Sequence, residues 1–186
     1  MGSGDEEWMA QIQHGEVRGF EALYERYRGP VYSFVLRLLQ DREGAAEIHQ
    51  ETFMRVLVEA GNYDGRYRAS TWIFTIAHRL SLDWLRTRNR HVPVEQVQGK
   101  LISGDQEPLA RLMEEDAVAG VRQALILLSP EQRSAVLLRV VHGYSEKEAA
   151  QIAGVSKGTI KSRLHYALVR LRQLVEESDG RERSAD

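Results

Sequence analysis

An all-α fold of two small helical domains is what this 186-residue sequence predicts, and three observations predict it. Apolar residues recur every three or four positions almost throughout, and no segment alternates as a strand would. That pattern dissolves between residues 89 and 108, where Pro93, Gly99, Gly104 and Pro108 punctuate the chain. Residues 144–172 (YSEKEAAQIAGVSKGTIKSRLHYALVRLR) read as two helices joined by a tight turn.

The elements follow in order. Asp5 is placed to cap a short helix carrying Trp8, Met9 and Ile12, which Gly15 interrupts. Phe20, Leu23, Tyr24 and Tyr27 mark a second helix that should stop near Gly29. Pro30 suits the first turn of a third, whose buried stripe is Val31, Phe34, Val35, Leu38 and Leu39. A fourth runs from about residue 43 to 60. Ala45, Ile48, Phe53, Val56, Leu57 and Ala60 face inward; Glu47, Gln50, Glu51 and Arg55 face outward. On spacing alone that outward face is simple solvation.

A polar, aromatic loop follows at residues 62–69 (NYDGRYRA), with Gly65 permitting a turn. Ser70 is placed to cap a long helix to about residue 88. Trp72, Ile73, Ile76, Ala77, Leu80 and Trp84 are its core residues, and Arg79 and Arg86 lie on the opposite face with His78 nearby. Arg66, Arg68, Arg88 and Arg90 flank it. Arginines beside Tyr63, Tyr67 and Trp72 suit a grip on single-stranded DNA, guanidinium on phosphate and ring on base. Ordinary packing of the same rings is the plainer alternative.

About 20 structureless residues inside a compact domain would be unusual, so a domain boundary is expected there. The second domain starts near Leu109 with a helix carrying Leu112, Met113, Val121, Ala124, Leu125 and Leu128. Ser129, Pro130 and Gln132 restart the chain as N-cap, first and third positions. Val136, Leu137, Val140 and Val141 follow, and Gly143 ends that helix. Next, Ser145 and Glu148 form a capping box, small Ala149, Ala150 and Ala153 allow close approach, and Gly154 takes the positive φ that stops the helix. Ser156 caps the last helix, whose apolar face is Ile160, Leu164, Ala167, Leu168 and Leu171. Lys157, Thr159, Lys161, Ser162, Arg163, His165 and Tyr166 make the other face. Residues 155–173 hold five Lys/Arg and no Asp or Glu, as a helix-turn-helix entering the DNA major groove would. A solvated basic face on an ordinary hairpin is the alternative. Residues 174–186 are charged and expected to fray.

Net charge is only −2, but its distribution is uneven. Residues 66–91 carry six Lys/Arg against one Asp, and residues 155–173 carry five against none, whereas residues 1–65 have a net charge of −6. Two basic blocks in an acidic chain suggest two nucleic-acid contacts, with acidic surface left for another partner. There are no cysteines, so disulfides and thiolate metal sites are excluded. No apolar run reaches membrane-spanning length, and the acidic N-terminus is no signal peptide, so a cytoplasmic protein without membrane insertion is expected. The six histidines have no paired metal spacing, and no glycine loop cradles phosphate. Neither catalysis nor a cofactor is therefore expected.

Three stretches together resemble one family. EIHQETF (residues 47–53) is similar to the core-binding helix of RNA polymerase sigma factors of the extracytoplasmic-function group, group 4 of the sigma-70 family. STWIFTIAHRLSLDWLR (residues 70–86) resembles its −10 recognition helix, and residues 128–172 its −35-binding domain. Order and spacing match over about 160 residues. The resemblance implies region 2 at 1–90, a flexible linker at 91–108, region 4 at 109–175 and a charged tail at 176–186. Glu47, Gln50 and Glu51 would then dock on the clamp helices of core RNA polymerase, with region 4 toward its flap and the linker toward its RNA exit path. Promoter DNA at −10 would meet Tyr63, Arg66, Tyr67, Arg68, Ala69, Trp72, His78, Arg79 and Arg86, with a flipped base held near Tyr63–Ala69 and Trp72. At −35, Lys161, Ser162, His165 and Tyr166 would read bases, and Lys157, Thr159 and Arg163 would hold phosphates or the groove edge. The family also implies an inhibitory anti-sigma factor able to hold the protein at the membrane.

Two positions depart from the family pattern. Arg79 stands where many members have Asn, and His49 where an aliphatic residue is common. His49 is either accommodated half-exposed or titrates near neutral pH. A dimeric helix-turn-helix repressor or activator is the alternative function; it leaves the basic block at residues 66–91 unused.

Overall fold

The computed structural model describes residues 3–91 and 125–182, with side chains for 4–88 and 125–173. Helix α1 is Ser3–Gln13, α2 Val17–Leu39, α3 Arg42–Glu59 and α4 Ala69–His91, with a 3₁₀ turn at Ala60–Asn62. After the break, α5 is Pro130–Val136, running into a π-helical turn at Leu137–Val141; α6 is Glu146–Ala153 and α7 Lys157–Glu182. Every regular element among the described residues is helical, as expected. Most of the linker expected at 91–108, and the helix expected from Leu109 up to Ala124, lie outside the described residues.

The first module is α1 to α4. Asp5 does not cap α1, which starts two residues earlier. Its carboxylate is buried instead, accepting a hydrogen bond from Tyr27 Oη at 2.6 Å and pairing with Arg26 at 3.0 Å. Gly19 lets α2 approach α1 closely: a Cβ there would stand 2.6 Å from the Trp8 carbonyl oxygen. The expected break at Gly29–Pro30 is absent, and α2 runs straight through it. Pro30 is exposed, and so is Arg26 four residues before it, so the carbonyl that loses its donor lies on the wet side of the helix. The buried stripe on both sides of Pro30 holds one continuous helix.

Helix α3 begins at Asp41, whose side chain accepts from Gly44 N at 2.8 Å. Gly44 itself is pressed against the indole of Trp84 on α4. Arg88 lies 4.8 Å over that indole and reaches Asp41 at 2.7 Å, so the start of α3 is tied to the end of α4. Leu57 is half-exposed, not inward as its spacing suggested. Helix α4 starts at Ala69, so Ser70 lies in its first turn and is not its cap. The helix also carries a second buried stripe, Phe74, His78 and Ser81, beside the expected one.

The second module keeps the predicted punctuation. Ser129–Gln132 and Ser145–Glu148 both form complete capping boxes, and Gly154 ends α6 at φ 64°. Ser156 accepts from Thr159 N at 3.1 Å and starts α7. Helical backbone continues to Glu182, beyond the last apolar position of the stripe.

The two modules are packed together. Their buried residues form one continuous cluster, from Met9 in α1 to Ala167 in α7. At the seam, Phe34 of α2 and Phe74 of α4 meet His142 and Tyr144 of the second module. The Arg133 guanidinium crosses the seam, donating to the Leu38 carbonyl of α2 at 2.7 Å and to the carbonyls of Leu125, Ile126 and Leu128.

Candidate nucleic-acid interface

Three surfaces gather the residues singled out in the sequence. The first is the outward face of α3. Glu47 and Gln50 are exposed and Glu51 is half-exposed, ion-paired with Arg55 at 2.7 Å. Met54, Leu57 and Val58 continue the same face as exposed apolar side chains, a feature the inward assignment of Leu57 missed. His49 lies beside this face inside a cage of Tyr24, Tyr32 and Phe53. Its Nε2 is 3.1 Å from the Arg28 carbonyl, which can only accept, so Nε2 carries the proton. Burial lowers its pKa, outweighing that hydrogen bond, so His49 is a neutral packing residue at pH 7.

The second surface is the loop and helix from residue 62 to 88. Gln13 of α1 donates to the Ala60 and Tyr63 carbonyls at 3.0 and 2.8 Å, which pins the start of the loop. Tyr63 donates to the Tyr67 carbonyl at 2.8 Å and packs its ring 5.6 Å from Trp72. Arg66, Tyr67, Arg68, Arg79 and Arg86 are exposed, Tyr63 and Trp72 half-buried, and Ala69 and His78 buried. Each arginine has a carboxylate partner: Asp64 for Arg66, Glu148 for Arg68 at 3.7 Å, Glu59 for Arg79 at 3.9 Å and Asp83 for Arg86 at 3.0 Å. The arginine of each pair is exposed and its ion pair is screened by water, so phosphate can displace the carboxylate. Glu148 comes from the second module. Sequence spacing gave no signal for Gln13, Glu59 or Glu148 as partners of this surface, because each lies on a different helix.

The third surface is the outer face of α7. Lys157, Lys161, Ser162, His165 and Tyr166 are exposed and recur with helical spacing; Thr159 and Arg163 are half-buried beside them. Among the described residues, Lys157, Lys161 and Arg163 have no carboxylate within ion-pair distance. Ile160 and Ala167 anchor the opposite face in the core. The arrangement offers a row of cations and hydroxyls on a rigid helix behind a capped turn, which suits a DNA groove.

The second and third surfaces meet. His78 of α4 is 3 % exposed and lies within electrostatic reach of Arg163 on α7 and Glu131 on α5. Burial, reinforced by Arg163, lowers its pKa to about 4. His142 is likewise lowered to about 4, by burial first and by Arg37 second. Burial raises the Tyr144 hydroxyl well above its ordinary value. A polar cavity of about 230 Å³ opens beside His142, between α1, α2, the start of α4 and α6.

Comparison with known proteins places these surfaces in context. Residues 23–91 match the family described as Sigma-70 region 2, and residues 119–171 match Sigma-70, region 4. The chain is 31 % identical over 172 residues to the RNA polymerase sigma-E factor of Streptomyces avermitilis, covering 90 % of this chain and 91 % of that one. It is 30 % identical to the RNA polymerase sigma factor CarQ of Myxococcus xanthus over 173 residues, 91 % and 96 % of the two chains. Among solved structures, the sigma factor RpoE bound to the anti-sigma factor NepR from Bartonella quintana superposes with a TM-score of 0.66 at 26 % identity, over 84 % of this chain and 96 % of that one. CnrH in complex with the cytosolic domain of CnrY shares the fold at a TM-score of 0.70 and 22 % identity, over 94 % and 99 %.

Proposed function

From the premise that the chain belongs to the sigma-70 family, as an extracytoplasmic-function RNA polymerase sigma factor, we propose how its three surfaces divide the work. It is an alternative sigma factor that brings core polymerase to promoters and starts transcription; factors of this kind are DNA-binding initiation factors, not catalysts. Region 2 occupies residues 1–90, a linker 91–108 and region 4 residues 109–175. Glu47, Gln50 and Glu51 dock on the polymerase clamp helices, and the exposed Met54, Leu57 and Val58 extend that contact.

At −10, Arg66, Arg68, Arg79 and Arg86 exchange their own carboxylates for phosphates. The Tyr63–Trp72 pair and Tyr67 offer the rings against which an unstacked base is held. Extruding that base costs a few kcal/mol, which polymerase contacts supply. At −35, Lys161, Ser162, His165 and Tyr166 read base edges, while Lys157, Thr159 and Arg163 position the backbone. Arg79 sets a long cation where many family members have a compact Asn, which changes the contact made at −10 there. His78 and Ala69 reach DNA only after the second module moves away.

The observation that carries this reading is the serial pairing of the region 2 surface with the capped helix-turn-helix of α6 and α7. A stand-alone dimeric repressor is disfavoured, since it has no use for the first. Promoter geometry then demands an opening. Elements centred at −35 and −10 lie about 25 base pairs apart, roughly 85 Å of B-form DNA at 3.4 Å per step. The packed arrangement, with His78 beside Arg163, cannot span that distance. We also propose an anti-sigma partner, supported by the RpoE–NepR likeness. Among the described residues no helix is long and apolar enough to cross a membrane, so membrane retention would come through that partner, with the factor itself in the cytoplasm.

Run-off transcription from a random promoter pool with core polymerase tests the proposal. The expected result is start-site selection that depends on added protein, with enriched −35 and −10 boxes. No gain in selection over core alone overturns it.

A further inference from the structure

Two imidazole rings lie at the seam between the modules, His78 buried and His142 half-buried, and His142 has no part in the promoter contacts argued above. His142 sits in the turn between the π-helical segment and α6. Its ring lies edge-on to Phe34 at 5.8 Å and to Phe74 at 5.1 Å. Its Nε2 is buried without a hydrogen-bond partner. His78 lies on the other side of the seam, 6.4 Å from the same Phe34 ring, and its Nε2 is also buried and unpartnered. Docking the second module therefore encloses, wholly or in part, two rings whose Nε2 finds no protein partner, so a proton taken up by either loses hydration.

We propose that the seam is a proton-sensitive latch, closing the second module over the −10 face while His142 and His78 are uncharged and releasing it when they are protonated.

The charges around each ring agree. His142 faces cationic Arg37 on α2, and across the cavity Arg26 and Arg68. The facing carboxylates are Asp5 and Glu6 of α1 and Glu148 of α6. Asp5 is already engaged by Arg26 and Tyr27, and Glu148 by Ser145 and Arg68. Tyr27 and Tyr144 are neutral over this range, being raised by burial. His78 faces Arg163 of α7 and Arg86 of its own helix against one carboxylate, Glu131 of α5. Among the described residues, Glu6 faces one of the rings without an ion partner; its buried Oε2 lies on the same cavity as His142 and offsets part of the repulsion from Arg37.

The sign follows. A histidine titrates near 6.5 when exposed and near 4 when the seam is shut. The closed form therefore keeps its full advantage above pH 6.5 and loses it as pH falls from 6.5 toward 4. The closed-to-open ratio drops by up to about tenfold per pH unit for each ring. The latch stands on the seam's geometry; its bearing on promoter access rests on the opening argued above, which transcription assays address separately.

The chain has no cysteine, so one dye pair can be placed at will. Glu21→Cys on α2 and Lys147→Cys on α6, both exposed, would carry donor and acceptor on the full chain. Energy transfer should be high at pH 7.5 and fall between pH 6.5 and 4.5, while far-ultraviolet helicity stays constant. His142→Phe, which keeps a ring and removes the titration, should shift or flatten the curve. His142→Gln carries the same reading if the phenylalanine variant does not fold. The latch is overturned by a flat transfer curve in the parent, by loss of helicity in step with transfer, or by variants that titrate like the parent.

Discussion

Arg133 reaches out of the second module to the carbonyl of Leu38, the penultimate residue of α2, and holds it at 2.7 Å. The end of α2 presents carbonyls without helical donors, and a cation there also meets the negative end of the helix dipole. Burial lowers the Arg133 pKa, yet the group remains charged across the working pH range, and its four carbonyl acceptors compensate for lost water. Replacing Arg133 with Met should strand those carbonyls and cost about 3 kcal/mol of stability. Lys should rescue less than half of it, since one ammonium cannot serve four acceptors in the fork geometry. Urea unfolding of the three proteins decides the matter; equal stability of Met and Arg would show the cation is dispensable.

Gly44→Ala should destabilise the first module by about 1–3 kcal/mol, because a Cβ there meets the Trp84 indole instead of open space. The same change should perturb Trp84 emission. Gly29→Ala, at a site with nothing nearby, serves as the control and should be neutral or slightly stabilising.

Charge reversal at Glu47 and Glu51, to Lys at both, should abolish binding to core polymerase while leaving helicity unchanged, since neither side chain is buried. Co-purification with core enzyme measures it. Val58→Asp, at an apolar side chain 78 % exposed, should weaken capture by at least tenfold without affecting folding. Retained capture by either variant would move the docking site elsewhere.

Lys161→Ala and Arg86→Ala address the two proposed DNA surfaces. Each should lower the slope of log affinity against log salt by about one in the polymerase-bound factor. Lys161→Ala should respond to the sequence of the −35 box and Arg86→Ala to the presence of the −10 box. Promoter filter binding from 50 to 200 mM salt separates them. An unchanged slope would place the residue off the DNA.

Much of this was legible in the residue order because its signals are local. A capping box needs only Ser129 and Gln132, or Ser145 and Glu148, and both formed. Gly154 announced a left-handed stop and provided one. Pro30 was misleading, since a proline costs a helix only its own hydrogen bond and a clash, which an exposed face and a continuous buried stripe can absorb. The α4 stripe was half read: Ile73, Ile76 and Ala77 are buried as expected, whereas Phe74 and His78 are buried too and meet residues of the other module. One sequence period cannot distinguish a second buried face from an outward one when that face carries His and Ser. The ion partners of Arg68 and Arg79 were not legible at all, because Glu148 and Glu59 are brought to them by tertiary packing.

Those ion partners have a wider effect. With Arg66, Arg68, Arg79 and Arg86 each answered by an acid of the same chain, this face carries less net charge than its arginines alone would give it. Any indiscriminate pull toward duplex DNA then falls mainly to α7, whose Lys157, Lys161 and Arg163 have no such acid within reach among the described residues.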